Sequence, residues 1–373
     1  MASSCRSHTL ASIALVLLSV VAVSCARRPA ASAWKVTEIP TDANFAGVCF
    51  TDSLSGWLTG GGWDIDGGIV ARTRDGGHTW RFQTGVAPSG GRGFGFGRVS
   101  FRDATHGCVV ASDGVVRLTD DGGESWRSAA FSAAEGIGLY DLRIHDDHDA
   151  WAAGPGAIVH SSDGGEHWEM LARSTSENGY LTAFALDFVT PWEGWLVSHG
   201  GLLMRTNDAG YHWSPVALPL PKGERPTLRD IQFIDRQRGW VVGERGAIFH
   251  TEDGGITWRR QDNGVPAVRV LAKGERRRHE VVPELETEPD RLAISAVRFA
   301  DARRGWAVGS YADVAESVVL GTHDGGATWI VEHVQKGEML HSLCVLDSSH
   351  AWAAGDRART TPQVVLRYAP NER

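Results

Sequence analysis

Apolar and polar positions alternate along this chain in short runs, and the runs recur. Seven segments share one pattern: GVCFTD, RVSFRD, LRIHD, ALDFVT, IQFID, VRFAD and LCVLD. Val48, Val99, Leu142, Leu186, Ile231, Val297 and Leu343 form one apolar column, and Phe50, Phe101, Ile144, Phe188, Phe233, Phe299 and Val345 lie two residues later. A period of two predicts a strand rather than a helix. A more polar column sits between them: Cys49, Ser100, Arg143, Asp187, Gln232, Arg298 and Cys344. Two residues before that column lie Arg98, Asp141, Asp230 and Ser342.

Two further phrases follow each strand. The first is Gly56-Trp57, Gly107-Cys108, Ala150-Trp151, Gly194-Trp195, Gly239-Trp240, Gly305-Trp306 and Ala351-Trp352. The second occurs six times, as TRDGGHTW, TDDGGESW, SSDGGEHW, TNDAGYHW, TEDGGITW and THDGGATW. Its aspartates are Asp75, Asp121, Asp163, Asp208, Asp253 and Asp324, spaced 46, 42, 45, 45 and 71 apart. A period of ~45 residues fits a four-stranded propeller blade. For the fifth unit the expected strands are A from 229 to 234, B from 239 to 243, C from 247 to 251 and D from 257 to 260.

Seven units with six boxes leave one blade incomplete. The seventh unit stops after Val364-Val365-Leu366-Arg367, and the segment Trp34-Lys35-Val36-Thr37-Glu38-Ile39 resembles the strand that follows every box. A ring must close to remove its exposed edges. The expected fold is therefore all-β, a single seven-bladed β-propeller over 34–368, closed by the N-terminal strand. An insertion falls at about 262–292, before blade six, and 369–373 is a tail.

Each box belongs in a C–D turn. The aspartate accepts N–H bonds from the turn about two residues on, and glycine supplies positive φ. The second glycine is present in all six boxes, while Ala209 replaces the first in the fourth, so the second position is expected to carry the special backbone angle. Six equivalent sites are scaffold, not one active site, so the six aspartates read as structural.

Composition sharpens this picture. The chain has 45 glycines and 15 tryptophans among 373 residues, an excess that the repeat absorbs. Hydrophobic residues at 42% and charged ones at 22% describe a globular protein. A net charge of −8 argues against nucleic-acid binding.

Residues 1–25 read as an address. Arg6 precedes an uncharged apolar run from Leu10 to Val23, too short to span a bilayer and right for a secretory leader. The segment Ala22-Val23-Ser24-Cys25 resembles a bacterial lipobox, which makes Cys25 the lipidation site; ordinary cleavage near Cys25 is the alternative. Residues 26–33 form a short linker. The expected location is extracytoplasmic or periplasmic, anchored to a membrane by lipid. Cys49, Cys108 and Cys344 form neither a disulfide framework nor a zinc pattern, and read as buried small residues.

The polar column defines an expected central funnel of Arg98, Arg143, Asp187, Asp230, Gln232 and Arg298. Paired carboxylates there suit acid–base work, and compensating charges lining a solvated channel suit no chemistry at all. Features that do not repeat mark the opposite face from the boxes. The long link before blade six, 41 residues from box tryptophan to the next strand, holds Arg276, Arg277 and Arg278. The loop Gly60–Gly68 holds Trp63, Asp64 and Asp66; the loop Gly309–Ser317 holds Tyr311; and Gly90–Gly97 holds Arg92, Phe94 and Phe96. Aromatics interleaved with arginine suit a protein-binding surface.

The eight-residue phrase is similar to the Asp-box (BNR) repeat of sialidases, sortilin-like receptors, xyloglucan hydrolases and photosystem II assembly factors. A sialidase needs an Arg-Ile-Pro segment, where this chain has Glu38-Ile39-Pro40, and no second propeller remains to build a xyloglucan-hydrolase cleft. With its leader and its seven GW…DGGxTW units, the chain from Trp34 to Arg367 resembles the photosystem II stability/assembly factor family. That resemblance implies a monomeric, non-enzymatic scaffold without cofactor or metal, which binds a membrane or envelope protein outside the cytoplasm. The alternative is a glycan-binding or sialidase-like glycoside hydrolase propeller that uses the funnel.

Overall fold

Antiparallel hairpins carry the chain outward from a central axis seven times. The computed structural model describes residues 32–62, 68–83, 95–111, 114–131, 138–173, 182–265, 291–311, 315–357 and 362–370, and these form seven four-stranded antiparallel sheets. The innermost strands, lettered A, are Asn44–Phe50, Phe96–Phe101, Asp141–Ile144, Ala185–Phe188, Leu228–Phe233, Leu292–Phe299 and Glu338–Asp347. Each packs against the A strands of the blades before and after it, and the circuit closes from blade seven to blade one. The expected seven-bladed propeller is what forms. Closure also follows the expectation: Trp34–Ile39 is the D strand of blade seven, pairing from Trp34↔Tyr368 to Ile39↔Gln363.

The repeat columns build the joints between blades. The strand-A phenylalanine of one blade lies flat on the tryptophan of the blade before it. The centroid distances are 3.6 Å for Trp57–Phe101, 3.8 Å for Trp151–Phe188, 3.8 Å for Trp195–Phe233, 3.6 Å for Trp240–Phe299 and 3.6 Å for Trp352–Phe50. The box tryptophan of the phenylalanine's own blade meets the same ring edge-on, at 5.7–6.1 Å. Aromatic pairs in these geometries contribute roughly 0.5–1.5 kcal/mol beyond burial. The indole N–H groups of Trp57, Trp151, Trp240 and Trp352 then donate to the first turn residue of the next box, at 2.9–3.1 Å.

Two joints depart from this pattern, the first on both sides and the second on one. Cys108 replaces the tryptophan of blade two, and the facing residue of blade three is Ile144, in the same core cluster. Trp306 of blade six faces Val345 rather than phenylalanine, at the blade that lacks a box. Here Trp34 and Tyr368 fill the space, with ring centroids 6.2 and 4.9 Å from Trp306. The Arg304 guanidinium lies 3.9 Å over Trp306 and pairs with Glu332 at 2.9 Å. Glu332 also accepts the indole N–H groups of Trp306 and Trp34, at 2.9 and 3.2 Å. The joint of blades six and seven is thus a separate device, in which Trp34, Tyr368, Arg304 and Glu332, all outside the repeat phrases, surround Trp306.

The glycine before each tryptophan has a steric reason. A Cβ on Gly56, Gly107, Gly194, Gly239 or Gly305 would lie 2.4–2.7 Å from the phenylalanine ring paired with it. In blades three and seven, where Ile144 and Val345 replace that ring, the paired residues are Ala150 and Ala351.

The boxes form C–D turns as expected, with two corrections. Both glycine positions have positive φ: the first lies at 72–75°, with Ala209 at 64°, and the second at 76–98°. The first is near the left-handed helical minimum, which a non-glycine residue tolerates at modest cost; the second lies further out, where it does not. The aspartate also reaches further than expected, accepting the N–H four residues on, as in Thr79 N to Asp75 Oδ1 at 2.9 Å. The preceding Thr73 hydroxyl donates to the same oxygen at 2.7 Å and accepts the N–H of Gly77 at 3.0 Å. In blade five the paired C and D strands are Ile248–Thr251 and Arg259–Arg260, slightly shorter than expected, because Thr257 is held within the turn by Asp253.

Candidate functional site

Strand A is the terminal strand of every sheet, so its axial edge has N–H groups with no strand to pair. The polar columns supply their acceptors from the blade before. Asp141 accepts Leu186 N at 2.9 Å, Asp187 accepts Phe233 N at 2.6 Å, Asp230 accepts Val297 N at 3.0 Å, and Gln232 Oε1 accepts Phe299 N at 2.6 Å. Ser342 accepts Val48 N at 3.0 Å and the Cys344 sulfur accepts Phe50 N at 3.2 Å, which continues the scheme across the seam. An unpaired buried amide costs on the order of 1–3 kcal/mol, so these side chains stabilise the inner ring.

The same groups form an ion network at the axis. Arg98 lies 3.3 Å from Asp141 and 3.9 Å from Asp230. Arg143 contacts Asp141 at 3.1 Å, Asp230 at 3.5 Å and Asp187 at 3.7 Å, and Arg298 pairs with Asp230. Blade two thus reaches blade five through the centre. The structure brings five of the funnel residues, Arg98, Arg143, Asp187, Asp230 and Arg298, into one network with Asp141, while Gln232 serves as an N–H acceptor for Phe299. Burial pushes the Asp230 carboxyl up, but Arg298, Arg98 and Arg143 outweigh it and hold the group below the usual carboxylate range. Burial pushes Asp187 up to about 6, with Arg143 opposing. Every carboxylate here already accepts a backbone N–H and faces guanidinium, so the network closes the ring rather than presenting a free acid–base pair.

Cys49 and Cys344 require a correction. Only Cys108 is buried; the other two are half-buried at the axis. The expected partner-facing residues fare differently. Trp63, Asp64, Asp66, Arg92, Phe94, Arg276, Arg277, Arg278 and the lipidation site Cys25 lie outside the described residues. Tyr311 is described, on a strand rather than a loop: Gly305–Tyr311 pairs with Glu316–Thr322, and the Tyr311 ring is half-buried against the blade-six core. Phe96 is not an exposed aromatic. It is 2% exposed, packed under Gly68 as the first residue of strand A in blade two.

One arginine-rich cleft escaped sequence reasoning because its walls come from two blades. Arg72, Arg74 and Arg81 of blade one and Glu124 of blade two line a space of about 400 Å³ with Trp80, Phe82 and Gln83. Glu124 takes Arg72 at 3.4 Å and Arg74 at 2.9 Å. Among the described residues no three His, Cys, Asp or Glu side chains gather in a metal-holding group.

Fold and axis together define an Asp-box propeller whose repeated residues serve blade joints and ring closure. The family model described as photosynthesis system II assembly factor YCF48 matches residues 26–133 and 179–267. The chain belongs to that family. Among solved structures it is similar to one described as YCF48 bound to D1 peptide, at 20% identity and a TM-score of 0.64, covering 90% of this chain and 97% of that one. YCF48 from Cyanidioschyzon merolae matches at 20% identity and 0.66, over 91% and 100% of the two chains. The WD40 β-propeller domain of Doa1 matches at 9% identity and 0.61, over 91% and 98%. These likenesses show a shared fold. No curated protein matches the sequence.

Proposed function

We propose that this propeller is an exported assembly factor that docks a segment of a membrane-protein subunit on the face opposite its boxes. One observation carries the reading: the family match, joined to a relative whose structure is described with a D1 peptide bound. The docking residues are drawn from Trp63, Asp64, Asp66, Arg92, Phe94, Tyr311 and the Arg276–Arg278 cluster, which belong to no repeat phrase. A subunit of the D1 kind is the partner class this reading favours. Cys25 supplies a lipid anchor that holds the monomeric ring at the membrane where such a subunit emerges.

The test is cross-linking in native membranes followed by identification of the captured protein. The wild-type chain is expected to capture a membrane subunit. A variant carrying Trp63→Ala with Arg276, Arg277 and Arg278 each changed to Glu is expected to lose most of that capture while keeping the wild-type melting temperature. Equal capture by both proteins would put docking elsewhere on the ring. Recovery of no membrane protein by the wild type would refute the reading. Cys25→Ser should shift the chain from the membrane to the soluble fraction.

A further inference from the structure

Cys49 and Cys344 are distant in sequence and adjacent in space. Each occupies the polar column of an innermost strand, Cys49 in blade one and Cys344 in blade seven, and these two strands pack against each other. The Cys344 sulfur sits 3.2 Å from the N–H of Phe50, the residue after Cys49. The two thiols are close enough to shift one another's titration, Cys49 downward and Cys344 upward. Both are half-buried at the axis, whereas Cys108 is shut in the core between blades two and three. No other adjacent pair in the polar column brings two thiols together, and this pair spans the seam where the ring closes.

We propose that Cys49 and Cys344 are a disulfide-forming site that staples blade one to blade seven when the chain meets an external disulfide. Cys49 is the attacking group. Its sulfur is favoured as thiolate by the Cys344 thiol, against the effect of burial, with help from the Phe101 N–H and the Arg143 charge. Cys344 is held the other way, its thiol pushed well up by Cys49 and by burial. The Cys49 thiolate attacks one sulfur of the donor disulfide, forming a mixed disulfide and releasing one donor thiolate. The Cys344 thiol then loses its proton and attacks the Cys49 sulfur, releasing the second donor thiol. Two protein thiols are oxidised, one disulfide donor is reduced to two thiols, and the two protein protons leave with them.

The bond would do what the seam lacks. The innermost strands of blades seven and one are held together by non-covalent contacts, chiefly Phe50 on Trp352 and the bonds of Ser342 and Cys344 to blade one, while the backbone joins these blades only through the link from Ile39, on the outermost strand of blade seven, to Asn44. A cross-link closing most of the chain into one loop restricts the unfolded state strongly. An extracytoplasmic location, as proposed above, is where such bonds persist; the chemistry itself does not depend on that reading.

The experiment uses the full chain incubated with oxidised glutathione, then alkylated and mapped by mass spectrometry, beside a sample kept in reductant. A linked peptide containing Cys49 and Cys344 is expected, with Cys108 still alkylated. Melting under non-reducing conditions should rise by roughly 5 °C over the reduced chain. Cys344→Ala should trap Cys49 as a mixed disulfide with glutathione, and Cys108→Ser should still yield the linked Cys49–Cys344 peptide. Full alkylation of Cys49 and Cys344 after oxidation would overturn the proposal. So would a wild-type chain that stops at the mixed disulfide, or one that links only to a second chain.

Discussion

Replacing Gly239 with alanine adds one methyl group, and the structure states where it would go. The new Cβ would lie 2.7 Å from three carbons of the Phe233 ring. That ring has no easy retreat: it is stacked on Trp195 at 3.8 Å and met edge-on by Trp258 at 5.9 Å. Restoring ordinary contact requires a shift of nearly 1 Å in a packed aromatic sandwich. Overpacking of this kind costs about 1–3 kcal/mol, so the melting temperature should fall by several degrees. The chain itself supplies the compensation, because Ala150 lies opposite Ile144 and Ala351 opposite Val345. Phe233→Ile alone should also destabilise, through lost stacking and a cavity. The double variant Gly239→Ala/Phe233→Ile should lose less than the sum of the singles by about 1 kcal/mol or more, as coupled neighbours do. Urea unfolding of the four proteins measures this directly. If Gly239→Ala unfolds like wild type, or the two losses simply add, the steric account of the repeat is wrong.

The remaining predictions concern the seam and the titrating groups. Deleting residues 30–40 removes the D strand of blade seven and both Trp34 contacts, and should lower the melting temperature by several degrees or cause aggregation; unchanged melting would refute the closure scheme. Glu332→Ala leaves two indole N–H groups and the Arg304 guanidinium short of an acceptor, and should cost about 2–4 kcal/mol in chemical unfolding. The box aspartates stand below their unfolded value, Asp121 at about 2 through the Ser125 hydroxyl and N–H, so their contribution is complete above pH 4 and lost as pH falls toward 2. An acid titration followed by tryptophan fluorescence should show this loss, and a flat signal from pH 4 to 2 would contradict it. Burial pushes Glu338 up to about 8, so its protonated form favours folding and stability falls as pH rises from about 4.5 through 8. Glu338→Gln should remove that slope in stability measured across pH 5–9.

Most of the fold was legible because a ring repeats its joints. Phe, Gly and Trp return in fixed order, and even their exceptions pair, Cys108 with Ile144 and Gly with Phe against Ala with Ile or Val. The second box glycine was legible as special; the first was not, because Ala209 at φ 64° shows only that alanine survives there. The axial network was legible as a column of polar residues, but not as a set of N–H acceptors, since that role depends on the neighbouring blade. Glu332 and Arg304 gave no signal at all, because the joint of blades six and seven occurs once and has no second copy for comparison. The thiol pair was misjudged for the same reason: Cys49 and Cys344 become neighbours only when the first blade meets the last.

This division bears on where function resides. A residue that repeats in every blade faces an equivalent neighbour in every blade, so it serves the ring. The axial carboxylates look like chemistry in a list of residues, yet each has a backbone N–H from the next blade as its partner. Changing Asp230→Asn should therefore show itself as lost stability, with Val297 N and three arginines left facing a neutral group. Partner capture by the surviving folded fraction should be unchanged. If instead the Asn variant melts like wild type and loses its partner, the axis is a binding site and the residues outside the repeat are not the docking surface.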